Sequence, residues 1–180
     1  MMVQTAIHTV LAGNPLIRPS DLLERVNAVI TDNIQKLRED KYMTITVIAC
    51  MSSGSLRASG LHQDILVYRS ARDRVETVKT CGTLLGLRDI IEYVPGDREF
   101  ALEKNDIMLL YTDGITESWR KGTRRNHRNP RTDMFGQDRL ADILRRASSK
   151  SPGGIRDAIL EELTGYQLTD DVTMVIIKKT

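Results

Sequence analysis

Ile107-Met108-Leu109-Leu110-Tyr111 is a continuous apolar run, and Thr112-Asp113-Gly114-Ile115-Thr116-Glu117 follows it directly. Five apolar residues without polar alternation predict a strand covered on both faces. That strand delivers the acid Asp113 to its end, where Gly114 permits a sharp turn or a close approach to another group. Thr169-Asp170-Asp171 leads in the same manner into Val172-Thr173-Met174-Val175-Ile176-Ile177, so adjacent acids sit just before a second strand. A carboxylate beside core is costly unless it is hydrogen-bonded or metal-bound. Hard divalent cations such as Mg2+ and Mn2+ take oxygen ligands, usually a few carboxylates with several waters. With the two strands side by side in one sheet, Asp113 and Asp170 meet at a single site. Asp-Gly is also a common turn pair and Asp a common cap before a strand. Residue chemistry alone therefore goes no further than a candidate carboxylate pair.

Upstream of residue 107 the hydrophobic period divides the chain. Met1, Met2, Val3, Ala6, Ile7, Val10 and Leu11 follow helical spacing, and Gly13-Asn14-Pro15 stops that helix. No capping residue precedes it, which reads as a chain that starts inside a helix. Pro19-Ser20-Asp21 opens a second helix, with Leu22, Leu23, Val26, Val29, Ile30, Ile34 and Leu37 as its apolar face. After Asp40 the period falls to near 2. Met43 to Cys50, Leu56 to Ala58, the pair Ile65 to Tyr68 with Val75 to Val78, and the pair Ile90 to Val94 with Glu99 to Leu102 read as short strands. Residues 118–134 read as a long exposed loop, with six Lys or Arg and no acid between Ser118 and Arg131. One helix then carries Leu140, Ile143 and Leu144, and another, after a Pro152-Gly153-Gly154 break, carries Ile155, Ala158, Ile159 and Leu163. The order predicts an α+β fold, with helices packed on antiparallel sheets, in one domain over residues 1–180.

Composition removes several function classes. Lys and Arg number 26 against 24 Asp and Glu, so the net charge is only +2, unlike the large basic excess of a dedicated nucleic-acid binder. Aromatics are 4% of the chain, which leaves few platforms for stacking bases. The two cysteines, Cys50 and Cys81, are too few for a disulfide scaffold or a four-cysteine zinc site, and read as reduced, buried thiols. The best apolar stretch, Met43 to Met51, is far short of the roughly 20 residues a membrane span needs. No membrane segment and no secretory signal are expected, and the cytoplasm is the expected compartment.

The string LLYTDGITE, followed far downstream by TDDVTMVII, resembles the metal-dependent Ser/Thr protein phosphatases of the PPM superfamily (type 2C class). Within it the chain is most similar to the bacterial branch typified by stage II sporulation protein E and the Rsb stress-response phosphatases. Other pieces agree in order: Thr44-Ile45-Thr46 on a strand after a long helix, Gly60-Leu61-His62, Gly82-Thr83-Leu84-Leu85-Gly86-Leu87, and Phe135-Gly136 leading a helix. The resemblance implies an antiparallel β-sandwich flanked by helices, with two Mn2+ or Mg2+ ions between the sheet ends. It implies hydrolysis of phosphoserine or phosphothreonine by a metal-activated water, with no covalent phosphoenzyme. By matching position Asp113 is one metal ligand and Asp170 another, with Asp171 in the neighbouring place. A regulatory phosphoprotein of the anti-sigma-factor-antagonist type is the implied partner.

The sequence departs from that family in two places. The family's bridging aspartate lies in a Gly-Asp-x-x-Gly-His-Gly motif before the first long helix, and nothing like it precedes Met1. The opening residues resemble the body of the helix that follows that motif. The expectation is the carboxy-terminal part of a phosphatase domain, with weak metal binding and poor turnover. The alternative is a non-catalytic signalling module of the same fold without a complete metal centre. An exposed sheet edge left by absent strands would favour a homodimer. The second departure is the displaced glycine in Gly60-Leu61-His62, and His62 is assigned no role. The basic segment 120–131 is open to two readings, a solvated loop or a docking surface for an acidic or phosphorylated partner.

Overall fold

The computed structural model describes residues 2–51, 53–80, 82, 84–87, 96–123 and 129–180. The described chain divides into two compact units, residues 1–62 with 80–101 and residues 63–79 with 102–180.

The first unit holds helices α1 (Met2–Gly13) and α2 (Pro19–Leu37) and strands β1 (Ile45–Cys50), β2 (Ser55–Leu61) and β5 (Arg98–Ala101), in sheet order β1-β2-β5. Both pairings are antiparallel, with Ile45 opposite Leu61 and Ser55 opposite Ala101. The helical periodicity is realised as one core. Ala6 from α1 joins Leu22, Leu23, Val26, Ile30 and Ile34 from α2, and Ile45 and Val47 pack against them. Proline opens α2 as predicted, but the cap comes from far away: Asp97 Oδ1 accepts the Ser20 N–H at 2.9 Å. Arg38 ends the helix in the left-handed region at φ 55, with its N–H donating to Gln35 O and the Glu39 N–H to Ile34 O. That is the paired closure of helix carbonyls known as the Schellman motif.

Leu85 and Gly86, from the Gly82 to Leu87 stretch, hold structural contacts. Leu85 is buried in the core and exchanges two backbone hydrogen bonds with Met43, at 3.0 and 2.9 Å, and the Gly86 N–H donates to Asn27 Oδ1. Cys50 is exposed, contrary to the buried thiol expected, because it is the last residue of an outer strand. Residues 90–94, where a strand is predicted, and Cys81 lie outside the described residues.

The second unit is built on strands β3 (Ile65–Arg69), β4 (Arg74–Val78), β6 (Ile107–Tyr111) and β9 (Met174–Lys178), in sheet order β4-β3-β6-β9 with every pairing antiparallel. Helices α5 (Gln137–Arg146) and α6 (Pro152–Leu163) cover one face. Leu66, Tyr68, Ile107, Leu109 and Tyr111 meet Leu140, Ile143, Leu144, Ile155 and Ile159 there. Met108, which alternates to the opposite face of β6, is also buried. Pro152-Gly153-Gly154 is the first turn of α6 and not a break, and the Ser151 Oγ caps it by accepting the Gly154 N–H.

One buried acid locks the far end of this sheet. Asp106 accepts the N–H groups of Ser70 and Glu103 and a guanidinium N–H of Arg69, which also pairs with Glu76. Burial pushes the Asp106 carboxyl up, but those hydrogen bonds outweigh it and hold it below the usual carboxylate range. Glu76, reached by Arg74, Arg69 and Arg72, is held down at about 2, chiefly by its hydrogen bonds from Arg74 and Arg69.

Residues 124–128 of the predicted loop at 118–134 lie outside the described residues, and the described part is not all loop. It contains strand β7 (Trp119–Arg120), which pairs with β8 (Tyr166–Gln167), and a single helical turn, α4 (Pro130–Asp133). Two-residue strands give no periodic signal, so sequence pattern misses them.

Candidate metal centre

Strands β6 and β9 are neighbours, with Tyr111 opposite Met174, so the end of one and the start of the other lie at the same edge of the sheet. The ladder runs one step beyond the strands, the Thr112 N–H donating to Thr173 O at 3.1 Å. There the Thr112 side chain takes over. Its hydroxyl accepts the Thr173 N–H at 3.1 Å and donates to Asp171 O at 3.1 Å. Two chain segments some 60 residues apart are thereby stitched together just before Asp113 and just after Asp170.

Asp113 is the first residue of a one-turn helix, α3 (Asp113–Thr116), with Thr112 as the extended residue before it. Gly114 follows because nothing larger fits. A Cβ there would stand 3.1 Å from Asp170 O, 2.9 Å from the Asp171 carbonyl carbon, and closer still to Asp171 O. Backbone-to-backbone contact therefore holds Asp113-Gly114 against Asp170-Asp171. Beneath it, the buried Ser118 hydroxyl donates to Gly114 O at 2.6 Å. The Phe135 and Gly136 N–H groups donate to Ser118 O and Thr116 O. Gly136 sits at φ 75, a conformation that favours glycine, and this explains the Phe-Gly pair ahead of α5.

The turn-pair reading of Asp113 requires its carboxylate to accept a nearby backbone N–H. Among the described residues nothing donates to that carboxylate, and it is half-buried beside the core. Asp170 is exposed and keeps part of a turn role, one oxygen accepting the Asp171 N–H at 2.7 Å. Asp171 is exposed too, and its carbonyl is already used by Thr112. Two hard carboxylates on touching backbone segments suit a divalent cation that keeps most of its waters. Among the described residues no set of three or more His, Cys, Asp or Glu is placed to hold a metal ion.

His62 belongs to the other unit, where its Nδ1 lies 3.0 Å from the Thr44 hydroxyl and its backbone bonds to Thr80. Sequence reading missed Thr112, Ser118 and the Tyr111 hydroxyl. The last is buried and has no hydrogen-bond partner among the described residues, and burial, with the Asp64 carboxylate nearby, pushes it up to about 12.

The family model described as stage II sporulation protein E matches residues 1–180. The chain belongs to the stage II sporulation protein E family. Its sequence is 25% identical over 167 residues to the phosphoserine phosphatase RsbU of Bacillus subtilis (strain 168), an alignment covering 91% of this chain and 46% of RsbU. The chain thus spans about half the length of that curated relative. Its fold is that of the PP2C-type structures. It matches the SiaA-PP2C domain of Pseudomonas aeruginosa with a TM-score of 0.78 at 17% identity, covering 100% of this chain and 67% of that one. It matches the RsbU and RsbW domains of Rv1364c from Mycobacterium tuberculosis with a TM-score of 0.73 at 20% identity, covering 99% and 47%. No described helix is long and apolar enough to cross a membrane.

Proposed function

We propose that this member of the stage II sporulation protein E family serves metal-dependent hydrolysis of phosphoserine or phosphothreonine on a regulatory protein of the anti-sigma-factor-antagonist type. In this reading it acts in the cytoplasm, and Asp113 and Asp170 are ligands to Mn2+ or Mg2+. The observation that carries it is the Asp113 carboxylate, which nothing among the described residues engages, held against Asp170-Asp171 by the Gly114 contact. When bound, a divalent cation supplies Lewis acidity, acidifying a water and neutralising phosphate charge. The protein's share is positional. Thr112 and Ser118 fix the backbone on either side of Asp113, and Gly114 sets its distance from Asp170. The turn made by Asp170 leaves its second carboxylate oxygen for the cation.

Two carboxylates hold such an ion weakly, so metal affinity and turnover of this chain are expected to be low. Metal titration by calorimetry on the wild type and Asp113→Asn tests the site: equal Mn2+ heats in both would remove it. Hydrolysis of a phosphopeptide with Mn2+ tests the rest, and robust turnover would show that the two acids are not the whole ligand set. The alternative, a non-catalytic signalling module, is favoured by the lack of a three-ligand cluster among the described residues. It predicts that Mn2+ does not bind at all. Val175 and Ile177 are 48% and 41% exposed on the outer strand β9, which favours self-association. Sedimentation equilibrium giving a monomer at tens of micromolar would remove that part.

A further inference from the structure

The segments that carry Asp113 and Asp170 continue into one two-stranded ribbon. β7 begins three positions after the end of α3, and β8 ends three positions before Asp170. Trp119 lies opposite Gln167 and Arg120 opposite Tyr166, and the Lys121 N–H donates to Gly165 O at 2.9 Å. The ribbon is clamped underneath. The Tyr166 ring is buried, edge-on to Phe135 at 5.0 Å between centroids, and the Arg139 guanidinium lies 5.5 Å from its centre. Arg139 in turn donates to the carbonyls of Met134 and Phe135.

Arg120 is exposed, yet its guanidinium is pinned. It stacks 5.6 Å from the centre of the Tyr166 ring and gives one N–H to the Tyr166 hydroxyl at 3.3 Å. Its Nε and Nη1 donate to nothing among the described residues. Lys121 is exposed beside it. A cation already fixed in place loses little conformational freedom when it binds, so each contact it makes is worth more. No acid occurs from Ser118 to Arg131, so nothing within the segment offsets this charge.

We propose that the β7–β8 ribbon is a docking strip for the acidic flank of the phosphoprotein, with Arg120 and Lys121 receiving carboxylates that lie near the phosphorylated residue. The proposal rests on the phosphatase reading above. The reach is short: from Ser118, which is bonded to Gly114 O, to Lys121 is three residues, or about 10 Å at about 3.3 Å each. That is the span of about three residues of an extended peptide, so the favoured acids lie about three or four positions from the phosphoserine. Charge complementarity selects a protein flank over nucleic acid, since the chain carries a net charge of only +2 and 4% aromatics.

The test is fluorescence anisotropy with the full chain in EDTA, where no hydrolysis competes. Two labelled phosphoserine peptides are compared, one with Glu three and four residues to either side and one with Gln in those places. The Glu peptide should bind about fivefold more tightly at 50 mM salt, and the advantage should fade at 0.5 M, where screening acts within a few Å. Lys121→Glu, an exposed change, should erase the advantage, and Arg120→Gln should reduce it. Equal affinities for the two peptides, or an unchanged ratio in Lys121→Glu, would overturn the docking strip. So would a single-stranded oligonucleotide of equal charge that competes as well as the Glu peptide. The Mn2+ titration of Asp113→Asn reads the phosphatase assignment separately, so either reading can fail while the other stands.

Discussion

Gly114→Ala adds one methyl group to the point where the two acidic segments touch. The new Cβ would lie 2.9 Å from the Asp171 carbonyl carbon and 3.1 Å from Asp170 O, with Asp171 O closer than either. These are backbone atoms, pinned by the Thr112 hydroxyl and the β6–β9 ladder, so no side chain can swing away. Relief requires the 170–171 segment to move on the order of 1 Å, the scale at which overpacking costs about 1–3 kcal/mol. For a chain of this size that lowers the melting temperature by about 2–10 °C. Both carboxylates remain, but their separation changes, and losing such outer support typically weakens metal binding about 10–100-fold. Calorimetric Mn2+ titration, with thermal unfolding followed by circular dichroism, reads both effects. Wild-type affinity together with a wild-type melting temperature would refute the contact itself. A lowered melting temperature with unchanged Mn2+ affinity would show that the contact is structural and that the acids do not share an ion.

Asp113→Asn should abolish measurable Mn2+ heat yet leave the melting temperature within about 2 °C, because nothing among the described residues bonds to that carboxylate. Asp106→Asn removes a buried acid that holds two backbone N–H groups and Arg69, and should destabilise by about 3–5 kcal/mol in urea unfolding at pH 7. Asp106 and Glu76 both have folded-state values depressed below the unfolded ones, so the stability they give is full above about pH 4.5. It is lost as the pH falls toward about 2, and the acid limb of a pH-dependent melting curve should flatten in Asp106→Asn. Tyr111→Phe removes a buried hydroxyl that has no partner among the described residues and should raise stability by about 1 kcal/mol. Since the Tyr111 value is raised to about 12, the stability linked to its protonated form is full below about pH 10 and lost as the pH climbs toward 12. Tyr111→Phe should remove that alkaline loss, and a lowered melting temperature at pH 7 would mean that the hydroxyl is satisfied by an ordered water.

Periodicity carries much of the secondary structure because it records which face of each element must leave water. The 3.6-residue spacing of Leu22, Leu23, Val26 and Ile30 becomes the buried face of α2, with Pro19 at its first turn. The apolar run at 107–111 becomes the inner strand β6. What periodicity does not carry is partner choice. Nothing local to Arg98–Ala101 announces that these four residues of β5 pair with β2, 40 to 46 positions away. The α2 cap is Asp97, 77 positions from Ser20, and no local rule finds it. Ser118 reads as a surface polar residue, yet it is fully buried under Gly114 because its hydroxyl has a carbonyl to bond.

Local composition by itself determined the types of the longer elements, the two acids beside strand ends and the basic character of the segment after Ser118, since each depends on residues adjacent in the chain. Tertiary structure alone decided that β6 and β9 are neighbours, that Gly114 rests on the Asp170 and Asp171 carbonyls, and that Arg120 lies on Tyr166. These follow from contacts between segments 46 to 71 residues apart. Their free energy is gained only when the whole sheet closes and buries its apolar face, so no window of sequence contains them.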